Sequence, residues 1–79
     1  MRILKEIYDS PWDFILYQTD EGYVINIEYS NSAVDFSRSF KLSEAEAHLS
    51  FEELKQLSEK IRKDYESYED REIIPVVTK

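Results

Sequence analysis

Cysteine is absent from this chain, and glycine, histidine and proline number one, one and two in 79 residues. Without cysteine there is no disulfide framework, no thiolate metal site and no thiol nucleophile. A single glycine excludes a Gly-rich phosphate loop. The one imidazole, His48, would be the only base open to a serine nucleophile, and Glu44, four residues before it, makes two ligands where a metal site needs more. An exposed or capping role for His48 is the plainer reading beside metal or acid–base work. Neighbouring carboxylates such as Glu52 and Glu53, or Glu69 and Asp70, are adjacent in sequence and so diverge on a helix. No catalytic residue, no cofactor and no metal are therefore expected. Long apolar runs are missing too. The longest, Phe14 to Tyr17, falls far short of a membrane span, and the stretch from Met1 to Glu6 lacks the apolar segment of a signal peptide. A cytoplasmic location is expected, with no membrane partner.

What is present is apolar enough to fold: 42% hydrophobic and 14% aromatic residues, including six tyrosines, against the composition of disordered chains. The length implies one domain, residues 1–79, near the size at which a single core yields only about 3–5 kcal/mol of net stability. Self-association or a bound partner could add to that. Seventeen acidic against ten basic residues give a net charge of −7, which repels phosphate backbones and argues against nucleic acid. The acid is unevenly placed. Residues 50–63 hold four positive and three negative charges, whereas residues 64–72 hold five negative and one positive. The helix body is balanced and its end is acidic, which runs against the helix dipole. It reads either as a solvated, frayed terminus or as an acidic patch for a basic partner.

The strongest local signal lies between Leu49 and Tyr68. Phe51, Leu54, Leu57, Ile61, Tyr65 and Tyr68 recur every three or four residues, which places them on one stripe of a helix that is continuous through Tyr65. Ser50 with Glu53 forms a capping box, and Leu49 with Leu54 a hydrophobic staple across it. Ser43 with Glu46 repeats the box at the head of a short helical turn. Such a helix needs a surface to lie on, because ordering its residues costs more than its stripe alone returns. The strands supply one. Arg2 to Tyr8 suits either a helical turn or a strand, with the strand preferred. Trp12 to Gln18, Tyr23 to Tyr29 and Val34 to Leu42 follow as strands, joined by a Thr19–Gly22 hairpin loop, where glycine takes a positive φ, and by a turn at Ser30 to Ser32. Arg38 interrupts an otherwise apolar face of the third of these, as a bulge or strand end, or as an anion or partner contact. Ile73 to Val77, with Pro75 inside it, suits an edge strand or an extended tail. The fold class expected is α+β: an antiparallel meander of three to four strands, one long C-terminal helix packed across one face, and room for a short edge strand after it. Phe14, Leu16, Ile25, Ile27, Phe36 and Phe40 are the expected core.

Ile15, Tyr17 and Val24 then fall on the outer sheet face, where a one-sided antiparallel sheet should be polar. They are either ordinary strand residues or part of a second buried face made with another molecule. The order of Trp12 to Tyr17, Gly22 to Ile27, Leu42 to Glu46 and the helix from Phe51 to Ile61 resembles the layout of small acidic immunity proteins of bacterial polymorphic-toxin and contact-dependent inhibition systems. That resemblance implies a cytoplasmic inhibitor that covers the active site of a cognate toxin, often a nuclease with a basic cleft. The candidate partner-binding groups, read from the residues, are the acidic helix end, Asp64, Tyr65, Glu66, Tyr68, Glu69 and Asp70, and the outer sheet face around Ile15 and Tyr17. The expected partner is another protein, a basic toxin domain on this reading. The alternative is a homodimer or structural module whose outer sheet face pairs with itself.

Overall fold

The computed structural model describes residues 2–10, 13–30 and 35–73. Pro11, Trp12, Val34, most of the Ser30–Ser32 turn, the side chain of Phe36 and the stretch from residue 74 onward, with Pro75, lie outside the described residues. Five strands form one antiparallel sheet in the order of the chain: β1 (Ile3–Ser10), β2 (Phe14–Thr19), β3 (Gly22–Ser30), β4 (Asp35–Leu42) and β5 (Glu72–Ile73). Between β4 and β5 come α1 (Glu44–Ala47), α2 (Phe51–Lys63), α3 (Tyr65–Tyr68) and a 3₁₀ turn (Glu69–Arg71).

This corrects the expected fold class on both of its elements. Among the described residues the sheet has five strands where a three- to four-stranded meander with room for a short edge strand was expected, the fifth being a two-residue strand after the helices, and there is no single long C-terminal helix. The helix stops at Lys63, so residues 51–65 are not continuous. Asp64 takes φ −130° and ψ 55°, off the helical region, while its N–H still bonds the Lys60 carbonyl. Its side chain accepts from Ser67 Oγ at 2.7 Å and its carbonyl accepts from the Ser67 N–H, the local competition by which aspartate leaves helices. Lys60, Arg62 and Lys63 occupy the last turn of α2, where the dipole favours cations. The acidic residues lie beyond this end, and the apparent conflict with the dipole disappears.

Both capping boxes are present. Ser50 Oγ accepts from the Glu53 N–H while Glu53 Oε1 accepts from the Ser50 N–H, and Ser43 and Glu46 do the same at 3.2 and 2.9 Å. In the β2–β3 hairpin, Thr19 pairs with Gly22, whose φ of +121° only glycine adopts freely. A Cβ there would meet nothing nearer than Lys41 Cε at 4.0 Å, so backbone conformation alone requires the glycine.

Phe14, Leu16, Ile25, Ile27, Phe40 and Leu42 of the sheet form the core with Leu54 and Ile61 of α2. Phe51 sits at the rim, 38% exposed, its ring 5.6 Å from those of both Tyr8 and Phe14. Ser58 lies on the buried side of α2, its hydroxyl donating to the Lys55 carbonyl at 2.7 Å and to Asp13 Oδ1 at 3.3 Å. The other sheet face is also buried: Tyr17, Val24, Asn26 and Ser39 are each less than 5% exposed, and the Asn26 amide donates to Ser39 Oγ at 3.1 Å. The register of β1 on β2 shifts twice, between Ile3 and Lys5 and between Glu6 and Tyr8. Among the described residues no helix is long and apolar enough to cross a membrane.

Candidate functional site

The acidic stretch is organised by two tyrosines. Tyr65 and Tyr68 point inward and pack on the core. The Tyr65 ring meets Phe40 edge-on, centroids 6.1 Å apart. With these two facing in, alternate positions face out: Asp64, Glu66, Glu69 and Asp70 are all exposed. Glu66, Glu69 and Asp70 make no ion pair among the described residues. They form a ridge of carboxylates held in place from beneath.

Arg38 fastens the far end of this ridge. Its guanidinium donates to Glu72 Oε2 at 2.9 Å and to the Tyr65 hydroxyl at 3.2 Å, and it lies 4.6 Å from the centre of the Tyr65 ring. The Tyr65 hydroxyl donates in turn to Glu72 Oε1. This bond to a carboxylate raises the Tyr65 phenol above its ordinary pKa, burial and the Glu72 charge add to the rise, and Arg38 opposes it. Arg38 interrupts the apolar face of β4 because the carboxylate of β5 comes to meet it. The same Glu72 belongs to the two-residue pairing of β5, Ser39 with Ile73 and Phe40 with Glu72, so the clasp and the strand pairing join the same two elements.

A groove of about 570 Å³ runs beside the ridge, between the end of β4 with the cap of α1 on one side and the 3₁₀ turn with β5 on the other. Leu42, Ser43 and Ile73 line it together with two cations, Lys41 and Arg71, and three carboxylate residues, Glu46, Asp70 and Glu72. Arg71 donates to Glu46 through one nitrogen, Nη1 lying 2.9 Å from both carboxylate oxygens, and its guanidinium sits 5.5 Å from the centre of the Tyr68 ring. Burial pushes the Glu46 carboxyl up, but the Ser43 N–H and hydroxyl and the Arg71 guanidinium outweigh it and hold the group below its ordinary value of 4.5. A carboxylate held low stabilises the fold above its ordinary pKa, and this contribution is lost as pH falls through the depressed value. Urea unfolding of the native chain and of Glu46→Gln between about pH 7 and pH 3 should therefore show a native advantage at neutral pH that closes below pH 4.5. A gap that stays constant over that range would refute the assignment.

The expected contact residues are thus divided. Asp64, Glu66, Glu69 and Asp70 share the exposed ridge, with Tyr65 and Tyr68 as its footing. Ile15 and Tyr17 lie on the opposite sheet face and join no part of it. Ile15 is half-buried and Tyr17 only 2% exposed, so Tyr17 offers a partner no surface. Glu46, Arg71 and the groove between them were not among the sequence candidates. The Ser43–Glu46 box was legible, but nothing local ties Glu46 to a guanidinium 25 residues away. His48 is exposed, its Nδ1 2.7 Å from the Glu44 carbonyl oxygen and its ring edge-on to Tyr23. Compared with family models, with curated proteins and with solved structures, the chain matches none.

Proposed function

We propose that this chain is a non-enzymatic protein-binding module, an immunity-type inhibitor that acts in the cytoplasm by covering the active site of a cognate toxin. The observation that carries this reading is the ridge. Its exposed carboxylates Asp64, Glu66, Glu69 and Asp70 stand on a half-buried aromatic footing, in a chain of net charge −7. Fixed charge of one sign speeds encounter with a basic surface and penalises other partners. Inhibition follows from occupancy: a rigid acidic surface that covers a basic cleft excludes the substrate without chemistry of its own.

The test is co-expression with the products of adjacent genes, read as rescue from toxicity and as a complex in a pull-down. The variant carrying Asp64→Asn, Glu66→Gln, Glu69→Gln and Asp70→Asn should associate roughly 10-fold more slowly or worse, with a weaker dependence on salt. Absence of rescue and of a complex with every neighbouring product would overturn the reading, as would rescue unaffected by the quadruple variant.

Exposed apolar side chains favour a second reading, self-association. Leu4 is 57% and Phe51 38% exposed. Since Tyr17 is buried within the single chain, the outer sheet face no longer serves this purpose, and Leu4 and Phe51 take its place. Sedimentation at micromolar concentration separates the two readings: a clean monomer rejects self-association, and a dimer dispersed by Leu4→Lys supports it.

A further inference from the structure

The groove beside the ridge already holds a guanidinium, and the chemistry of that contact can be carried further. Glu46 presents both carboxylate oxygens to Arg71 at 2.9 Å, and the Tyr68 ring lies alongside at 5.5 Å. A cation placed beside an aromatic face as well as a carboxylate favours the delocalised, weakly hydrated guanidinium of arginine over the compact ammonium of lysine. The Arg71 side chain is 42% exposed, so it is free to swing away into solvent. Asp70, also in the lining, makes no ion pair among the described residues. The space of about 570 Å³ accommodates an incoming side chain along an apolar wall formed by Leu42 and Ile73.

We propose that this groove seats an arginine side chain of a protein partner, received by Glu46 and Asp70, with Arg71 as an internal placeholder that the incoming guanidinium displaces. The inference rests on the protein-binding reading and specifies where on the acidic surface the partner is anchored. The ridge steers the basic partner inward, and the groove holds it. In the free protein Arg71 keeps the Glu46 carboxylate satisfied, so the site does not stand as an unpaired charge before binding. Exchange of one guanidinium for another costs little on this side, because the Glu46 oxygens are left paired with a cation.

The probe is an acetylated tetra-arginine amide, titrated into the isotope-labelled full chain at about 0.15 M salt, with tetra-lysine in parallel. The expected result is amide shifts concentrated at Leu42, Ser43, Glu46 and Asp70 to Ile73, saturating at roughly threefold lower concentration for the arginine peptide. Arg71→Ala should tighten the peptide several-fold, because it frees Glu46 and removes a competing cation. Asp70→Asn should weaken it by a similar factor, and this exposed side chain makes no hydrogen bond or ion pair among the described residues. Glu46→Gln, which keeps the capping acceptor, should weaken it as well. Shifts confined to Glu66 and Glu69, equal response to the two peptides, or weaker binding by Arg71→Ala would each overturn the seat. The first of these outcomes leaves the acidic protein-binding surface standing, whereas failure of the toxin rescue would leave a measured arginine seat intact, so the two ideas fail separately.

Discussion

Leu54→Ala is expected to cost about 2–5 kcal/mol, the range for truncating a fully enclosed leucine whose neighbours cannot close the gap. Leu54 is 0% exposed, and it stands at the point where α2 meets Phe14, Leu16, Ile25 and Phe40 in one cluster. For a domain of this length, whose core yields about 3–5 kcal/mol net, such a loss leaves a large unfolded fraction at 25 °C. Urea unfolding followed by far-ultraviolet circular dichroism measures it. Phe51→Ala, three positions earlier on the same stripe, should cost clearly less, because its ring is 38% exposed at the rim. Equal losses at the two positions would mean that the helix is seated on the sheet differently from the packing described above.

The second large effect is expected at Arg62. Its Nε donates to the Glu28 carbonyl at 2.9 Å, and its Nη2 donates to Asp13 Oδ1 at 2.8 Å and to the Asp13 carbonyl. One guanidinium thus ties the last turn of α2 to the start of β2 and the end of β3, with the two charged side chains 26% and 15% exposed. Arg62→Ala would leave a carboxylate and two carbonyls partly buried without this donor. Breaking a fully enclosed pair costs roughly 3–5 kcal/mol; partial exposure reduces this to about 2–4 kcal/mol. Arg62→Lys should recover only a minor part, since an ammonium cannot span three acceptors fixed by a planar fork. Chemical denaturation of both variants checks this, and full recovery by lysine would show that charge alone, not the fork, holds the helix end.

The two positions also show what a sequence reading can reach. Leu54 was legible because its evidence is local: the spacing of apolar residues on the stripe and the cap formed by Ser50 and Glu53. Alternation in Tyr23 to Tyr29 and the lone glycine at Gly22 were legible for the same reason. Arg62 was not, because its partners lie 34 and 49 residues away and no spacing rule connects them. The end of the helix lay between these cases. Lys60, Arg62 and Lys63 followed by an acidic run is the charge order of a helix that has already stopped, and the mismatch with the dipole noted in the sequence was that signal. It was overruled by Tyr65 and Tyr68, which keep helical spacing because the chain turns at Asp64 and still delivers both rings to the core. Of the candidate site, the ridge carboxylates were legible as composition. The burial of Tyr17 and the groove at Glu46 were not, since both depend on which strands and turns come together.

The twofold slip of β1 against β2 bears on how the molecule tolerates crowding. A neighbouring copy that approached this outermost strand would find its amide and carbonyl groups out of step at two places within eight residues. A growing stack of chains needs an unbroken rail of such groups. Edge-to-edge pairing of a second copy along this border is therefore interrupted twice, the device by which an outer strand is made a poor template for further strands.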